Sequence, residues 1–206
     1  MARLNKEACN ETLAINRNNA ILFVVDMING FCKKGAMADP DIMNIVLPIT
    51  ELCKNMLPLK RTYFITDCHG EDDIEFKSFP KHCLKGTEES KVVDELLKYV
   101  EQGFVIEKNS TNAFHSFINK DEFFKHCPEK IIITGCCTDI CVMQFAISFK
   151  TFLNSMNFEK QVIVPIDCVD TYDAPHHKAN LRNEDALTIM KEAGIEIVNN
   201  IDLQVD

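Results

Sequence analysis

Three side chains that can carry out nucleophilic catalysis follow apolar strands in this sequence. Asp26 closes the apolar run Ala20–Val25, Lys108 follows a short strand, and Cys141 ends the turn 135–141 (GCCTDIC) near the start of a helix. A thiolate in that position is stabilised by the free backbone N–H groups and dipole of the helix. A carboxylate can take the thiol proton and later protonate a leaving amine, while a lysine stabilises the anionic states. The competing interpretation is a helix cap, a surface charge and a space-filling cysteine.

A second group of side chains has the composition of a metal site. Asp67 and His69 are two residues apart on an extended stretch, which places them on the same side of the chain, and Glu75 and His82 follow in the next loop. Two imidazoles and two carboxylates suit Zn²⁺, Mn²⁺ or Fe²⁺. We therefore predict one divalent metal ion, with zinc favoured. The alternative is that the acidic segment 71–75 is a solvated face and His82 an ordinary polar residue.

The other histidines and the cysteines receive structural assignments. His115 and His126 are predicted to lie on the surface, and His176 and His177 are not predicted as a ligand pair, because adjacent helical residues point apart. With no secretory leader at its start, the chain is expected to be cytoplasmic. Its ten cysteines are then expected to be reduced thiols, most of them buried as small hydrophobes.

Alternating strands and helices must position these residues. Strands are predicted at 20–25, 61–66, 104–107, 130–134, 161–165 and 196–198, and helices at 41–57, 92–100, 122–127, 141–153 and 183–193. This order is typical of a three-layer α/β/α sandwich with a mainly parallel central sheet. In such sheets ligands bind beyond the carboxyl ends of the strands, which is where Asp26, Asp67, Lys108 and the cysteine turn are expected.

Composition predicts one globular domain and excludes several function classes. The 206 residues are 46% hydrophobic and 26% charged, which indicates a single domain over 19–206 after an N-terminal arm or packing helix over 1–18 that ends near 16–19. A net charge of −9 without a Lys/Arg block argues against nucleic acid as a partner. No apolar run approaches the roughly 20 residues that cross a bilayer, so no membrane association is expected. The expected partner is a small-molecule substrate.

These motifs resemble those of the isochorismatase-like cysteine hydrolases, most closely the nicotinamidases. The segment 25–31 (VDMINGF) resembles the family's first-strand Asp motif, and 133–142 (ITGCCTDICV) resembles its nucleophile motif. The resemblance implies that Cys141 is the nucleophile, Asp26 the general base and acid, and Lys108 the third member of a triad. A cysteine at this position argues for amide hydrolysis and against vinyl-ether hydrolysis.

The resemblance also implies how the site is completed. A non-proline cis peptide bond is expected between Cys136 and Cys137, with the backbone N–H groups of Cys137 and Cys141 directed at the oxyanion that develops on the substrate. The segment 75–82 resembles the metal loop of the nicotinamidases, in which the ion binds the pyridine nitrogen of the substrate.

Substrate contacts are implied in the same way. Phe31 and Phe79 match the positions that flank the substrate ring in this family, with core phenylalanines as the alternative. Thr111 and Asn112 depart from the family pattern, because an aromatic residue and a serine are common there.

Together these features predict a metal-dependent amidase that converts nicotinamide to nicotinate and ammonia through a thioester, a reaction of NAD salvage. The family often forms homo-oligomers, which are expected here as well. The nearest alternative is a carbamoyl or ureido amide hydrolase with the same triad. A more distant one is a non-catalytic binding or redox protein that uses the thiols of Cys136, Cys137 and Cys141.

Overall fold

The computed structural model describes residues 12–205, and parallel β-strands dominate them. The strands are β1 (Thr12–Asn16), β2 (Ala20–Val25), β3 (Thr62–Asp67), β4 (Phe104–Lys108), β5 (Lys130–Cys136), β6 (Gln161–Pro165), β7 (Val169–Asp170), β8 (Glu196–Val198) and β9 (Asn200–Gln204). Six strands form a sheet in the order β4-β3-β2-β5-β6-β8, with β7 paired to the end of β5. Every pair in this sheet is parallel, so the carboxyl ends lie together at one edge.

Helices connect these strands. They are α1 (Asn29–Cys32), α2 (Val46–Met56), α3 (Leu97–Val100), α4 (Lys120–His126), α5 (Met143–Ser155) and α6 (Ala179–Glu192). The 3-10 turns Pro40–Ile45 and Asp94–Leu96 precede α2 and α3, and the π-helical segment Thr138–Val142 precedes α5. Among the described residues, no helix combines the length and apolar character that spanning a membrane requires.

Two apolar clusters pack against opposite faces of the sheet. Side chains alternate along β2, so Leu22 and Val24 join one cluster with α2, while Phe23 and Val25 join the other with α5. All six residues of β2 are buried, as expected for a strand covered on both faces. The predicted three-layer α/β/α sandwich with a mainly parallel sheet is therefore confirmed.

The predicted strands and the long helices are present, with ends shifted by a few residues. The prediction of a helix ending near 16–19 is wrong, because Thr12–Asn16 forms a strand that pairs in parallel with Asn200–Gln204. These two strands are far apart in the sequence, so neither segment carries a local hydrophobic pattern that indicates their pairing. The rest of the predicted arm, residues 1–11, lies outside the described residues.

Candidate active site

Asp26 lies directly after β2 in a left-handed backbone conformation, with φ of 51°. Its N–H donates to the carbonyl oxygen of Ile65 at 2.8 Å, and its Oδ1 accepts a hydrogen bond from the backbone N–H of Asp67 at 2.9 Å. The carboxylate is completely buried. The backbone of β3 therefore fixes both the main chain and the side chain of Asp26.

Gly135 allows β5 to approach the end of β2 closely. Its φ is +108°, and a Cβ atom built there would lie 1.9 Å from the carbonyl oxygen of Val25. Only glycine tolerates both conditions. The close approach brings the turn that carries Cys141 beside Asp26.

Lys108 is placed by the sheet register, because it lies opposite Asp67 in the β3–β4 pair. Its Nζ atom is 2.8 Å from Asp26 Oδ2, 2.8 Å from Asp67 Oδ1 and 3.7 Å from Cys141 Sγ. The lysine side chain is fully buried. One ammonium group thus joins two carboxylates and the thiol.

Cys141 lies in the π-helical segment Thr138–Val142 that leads into α5. The N–H of Val142 donates to the carbonyl oxygen of Cys137 at 3.1 Å, and the peptide bond between Cys136 and Cys137 is cis. Cys141 is buried and lines a cleft. The structure therefore brings Asp26, Lys108 and Cys141 together.

Burial and charge set the protonation of these groups. Burial raises the pKa of Asp26 to about 6, although the Lys108 ammonium opposes the rise. Burial also raises the pKa of the Cys141 thiol, again against the effect of Lys108. Burial alone would lower the pKa of Lys108, but the charges of Asp26, Cys141 and Asp67 hold it well above its usual value. A carboxylate that titrates near neutral pH beside a permanent cation is suited to transfer the thiol proton.

The four predicted metal ligands form one cluster. One ligand atom from each of Asp67, His69, Glu75 and His82 lies within 4.8 Å of the others, and the two histidines are buried. Burial alone would raise the pKa of Asp67, but the charge of Lys108 and the contacts with the two histidine rings hold it well below its usual value. The cluster therefore supplies an ionised carboxylate beside two imidazoles.

The orientation of the imidazoles fits a cation. The Nδ1–H of His82 donates to the carbonyl oxygen of Pro80 at 2.7 Å, and Nδ1 of His69 lies 3.0 Å from Oδ2 of Asp73. In the neutral tautomers, each Nε2 then presents a lone pair toward Asp67, at 3.2 Å for His82 and 3.3 Å for His69. The buried Nε2 of His69 makes no hydrogen bond. A divalent cation among these atoms would satisfy them together.

Cys141 and three residues of the four-residue cluster, Asp67, Glu75 and His82, line one narrow cleft. Its lining comprises Phe31, Met37, Asp67, Glu75, Phe79, His82, Thr111, Cys137, Ile140 and Cys141. The rings of Phe31 and Phe79 lie 5.6 and 6.4 Å from the ring of His82, measured between centroids. Both phenylalanines therefore contribute to the wall of the cleft.

Several residues of the site were missed at the level of sequence. Asp73 orients His69, yet it belongs to the acidic segment for which a solvated face was the alternative. Met37 and Ile140 line the cleft without any chemical signature. Thr111 also donates its backbone N–H to Glu75 Oε2 at 3.0 Å, which no side-chain pattern reveals.

The histidines outside the cluster divide into two kinds. His115 and His126 are exposed, which confirms their predicted surface positions. His177 is buried instead, and its Nε2 lies 2.7 Å from Oδ2 of Asp139, two residues before Cys141. No pattern in the sequence indicates this contact.

A domain-family profile and a known relative both match this sequence over most of its length. The sequence profile of the Isochorismatase domain matches residues 20–191. Nicotinamidase 1 of Arabidopsis thaliana is 28% identical to this chain in an alignment of 233 positions that covers 94% of the chain and 91% of the relative.

Two solved structures, each 24% identical to this chain, share its fold. The pyrazinamidase of Pyrococcus horikoshii in complex with zinc superimposes with a TM-score of 0.69, over 87% of this chain and 98% of its own. The N-carbamoylsarcosine amidase from Thermoplasma acidophilum has a TM-score of 0.67, over 87% of this chain and 95% of its own.

Proposed function

Because the chain belongs to the isochorismatase domain family and is an amidohydrolase, we propose that it hydrolyses nicotinamide to nicotinate and ammonia. The observation that carries the proposal is the shared cleft, in which Cys141 faces the same space as Asp67, Glu75 and His82. The likeness to Nicotinamidase 1 over nearly the whole chain supports this choice of substrate.

The first half of the reaction forms a thioester. Asp26 accepts the proton of Cys141 Sγ, and the resulting thiolate attacks the amide carbonyl carbon. The backbone N–H groups of Cys137 and Cys141 are proposed to stabilise the oxyanion, an effect typically worth about 3–4 kcal/mol per donor. Asp26 then returns its proton to the nitrogen, the C–N bond breaks and ammonia leaves.

The second half regenerates the enzyme. Asp26 takes a proton from a water molecule, and the hydroxide attacks the thioester carbon. The C–S bond breaks, the proton on Asp26 returns to the Cys141 thiolate, and the carboxyl proton of the product passes to solvent as nicotinate leaves. The Lys108 ammonium, 2.8 Å from Asp26 Oδ2, would stabilise that carboxylate in the steps in which it is ionised.

Asp67, His69, Glu75 and His82 would hold a divalent cation, for which zinc fits the mixed nitrogen and oxygen donors. When bound, the cation would supply an electrophilic centre that recognises the ring nitrogen of a pyridine carboxamide. Phe31 and Phe79 would flank the ring and exclude water from it. Formation of nicotinate would place the reaction in NAD salvage in the cytoplasm.

A second candidate is a carbamoyl or ureido amide hydrolase that uses the same triad. The observation that favours this candidate is the fold shared with N-carbamoylsarcosine amidase. The lone pairs gathered at the four-residue cluster favour nicotinamide, because a carbamoyl group has no ring nitrogen for a cation to recognise. Family membership makes the chain an enzyme and so removes the non-catalytic thiol alternative.

The test is ammonia release from nicotinamide, measured on the purified protein before and after chelation and after addition of Zn²⁺, Mn²⁺ or Fe²⁺. We expect release that chelation abolishes and one of these ions restores. Hydrolysis of carbamoyl or ureido amides that is indifferent to chelator, with none of nicotinamide, would replace the proposal with the second candidate.

A further inference from the structure

The segment that carries Cys141 is fastened from outside the triad by the carboxylate of Asp139. The hydroxyl of Thr171 donates to Oδ1 of Asp139 at 2.6 Å, and Nε2 of His177 lies 2.7 Å from Oδ2. Both oxygens of one side chain in the π-helical segment Thr138–Val142 are therefore held by the segment that follows β7. We call Asp139, Thr171 and His177 the Asp139 clamp.

His177 is itself held rigidly. Its Nδ1 lies 2.9 Å from the carbonyl oxygen of Tyr172, and its ring stacks on the Tyr172 ring with centroids 3.9 Å apart and planes 7° apart. Two backbone hydrogen bonds between Ala174 and His177, of 2.8 and 3.0 Å, close the turn. With both ring nitrogens occupied, His177 has one orientation in which it meets Asp139.

The segment after β7, which carries Thr171 and His177, is anchored to the sheet and to α6. Asp170 pairs with Cys136 in the β5–β7 ladder, and its Oδ1 accepts hydrogen bonds from Asn183 Nδ2 at 2.9 Å and from the N–H of Thr171 at 2.7 Å. None of these contacts is made by a residue of the π-helical segment Thr138–Val142. The segment that follows β7 can therefore position the π-helical segment rather than follow it.

The triad and the clamp restrain Cys141 at different places. Lys108 Nζ lies 3.7 Å from its Sγ, whereas the clamp holds the side chain of Asp139, two residues earlier in the same π-helical segment, through contacts of 2.6 and 2.7 Å. A π-helical turn is a locally unusual conformation, and displacement of a reacting atom by about 1 Å can cost roughly 10²-fold in rate. On the assignment of Cys141 as the nucleophile of the proposed function, we propose that Asp139, held by Thr171 and His177, is a positioning residue for the Cys141 thiol.

Two variants weaken the clamp in different ways, and one restores it. His177→Phe keeps a ring that can stack on Tyr172 but removes the Nε2 contact, and Thr171→Val removes the hydroxyl without changing the shape of the side chain. His177→Gln places a donor near the original Nε2. His126→Phe is the matched control, because His126 forms an exposed pair with Glu122 at 2.9 Å.

Each protein is assayed for kcat and KM, for thermal unfolding, and for the rate at which iodoacetamide labels Cys141, mapped by mass spectrometry. We expect His177→Phe and Thr171→Val to lower kcat and to slow labelling, each by about tenfold, with KM changed less than about twofold. His177→Gln should recover most of both rates, and His126→Phe should match the wild type.

A lower unfolding midpoint in folded His177→Phe and Thr171→Val, with labelling and kcat at wild-type rates, would mean a structural role only and would overturn the proposal. If His177→Phe does not fold, Thr171→Val decides by the same measurements. Labelling does not depend on the substrate, so slowed labelling in a protein that never hydrolyses nicotinamide would uphold the clamp and reject the proposed function.

Discussion

The residues of the site form two groups, which we call the strand corner and the loop corner, and different kinds of contact hold them. In the strand corner, Asp26 and Lys108 are fixed by neighbouring parallel strands through backbone hydrogen bonds and register. In the loop corner, His69, Glu75 and His82 lie on or beside an irregular segment, and side-chain hydrogen bonds hold them. The sheet therefore holds the charged groups of Asp26 and Lys108. The side chains of the loop corner depend instead on contacts that single substitutions can remove.

Asp67 belongs to both corners. Its Oδ1 accepts a hydrogen bond from Lys108 at 2.8 Å, while its Oδ2 lies 3.2 Å from His82 Nε2. Lys108 therefore contacts Asp26 in the strand corner and Asp67, which both corners share. The following predictions separate the chemistry of the strand corner from ligand holding in the loop corner.

The largest effect is expected when Cys141, the proposed nucleophile, is replaced. Cys141→Ala should lower kcat for ammonia release by at least about 10⁴-fold, because residues that act as a catalytic unit fail together. The unfolding midpoint should change little, since a small buried side chain replaces another. Cys68→Ala, which removes a partly exposed thiol outside the cleft lining, is the control and should retain activity. Residual turnover near the wild-type rate in Cys141→Ala would exclude Cys141 as the nucleophile.

The next prediction compares how the backbone of each corner tolerates an added Cβ atom. Gly135→Ala should lower the free energy of unfolding by roughly 3–5 kcal/mol, because its Cβ would lie 1.9 Å from the Val25 carbonyl oxygen at a φ of +108°. Gly86→Ala, in the loop after His82, has φ of +81° but nothing within 4 Å of the new Cβ, so about 1 kcal/mol is expected. Urea unfolding of both variants measures the difference, and equal losses would contradict the contrast between the corners.

This contrast also explains what the sequence could predict. The strand ends were identifiable because buried parallel strands are continuous apolar runs, so Asp26 and Lys108 stood out at their ends. The strand Thr12–Asn16 was missed, because its partner lies at the far end of the chain and its own burial pattern is mixed. Local periodicity carries no information about such pairings.

The loop corner was less accessible to the same reasoning. The residue types of His69 and His82 suggested a metal site, but their convergence depends on a turn that no period describes. His177 meets Asp139 across 38 positions, and Asp73 was hidden within an acidic run. Contacts between side chains on separate loops require the folded structure.

Loss of a ligand tests the loop corner directly. His69→Ala should lower metal affinity and nicotinamide turnover by roughly 10²-fold or more, because a buried ligand with an oriented Nδ1 is lost. Iodoacetamide should still label Cys141, since the contacts of the Asp139 clamp do not involve His69. His115→Ala, an exposed histidine, is the control for both assays. Wild-type metal content and turnover in His69→Ala would exclude the cluster as the functional metal site.

The smallest effect is expected for Asp73, which contacts the predicted ligand His69 but is not itself a predicted ligand. Oδ2 of Asp73 accepts a hydrogen bond from the N–H of Gly70 at 3.0 Å and lies 3.0 Å from His69 Nδ1, so it fixes the orientation of the ring. Asp73→Asn can present an NH₂ group to Nδ1 and should weaken metal affinity by roughly tenfold, measured by competition with a chelator. Asp72→Asn makes the same change in charge at an exposed neighbour, so an equal loss there would show that the charge of the loop matters rather than the orientation of His69.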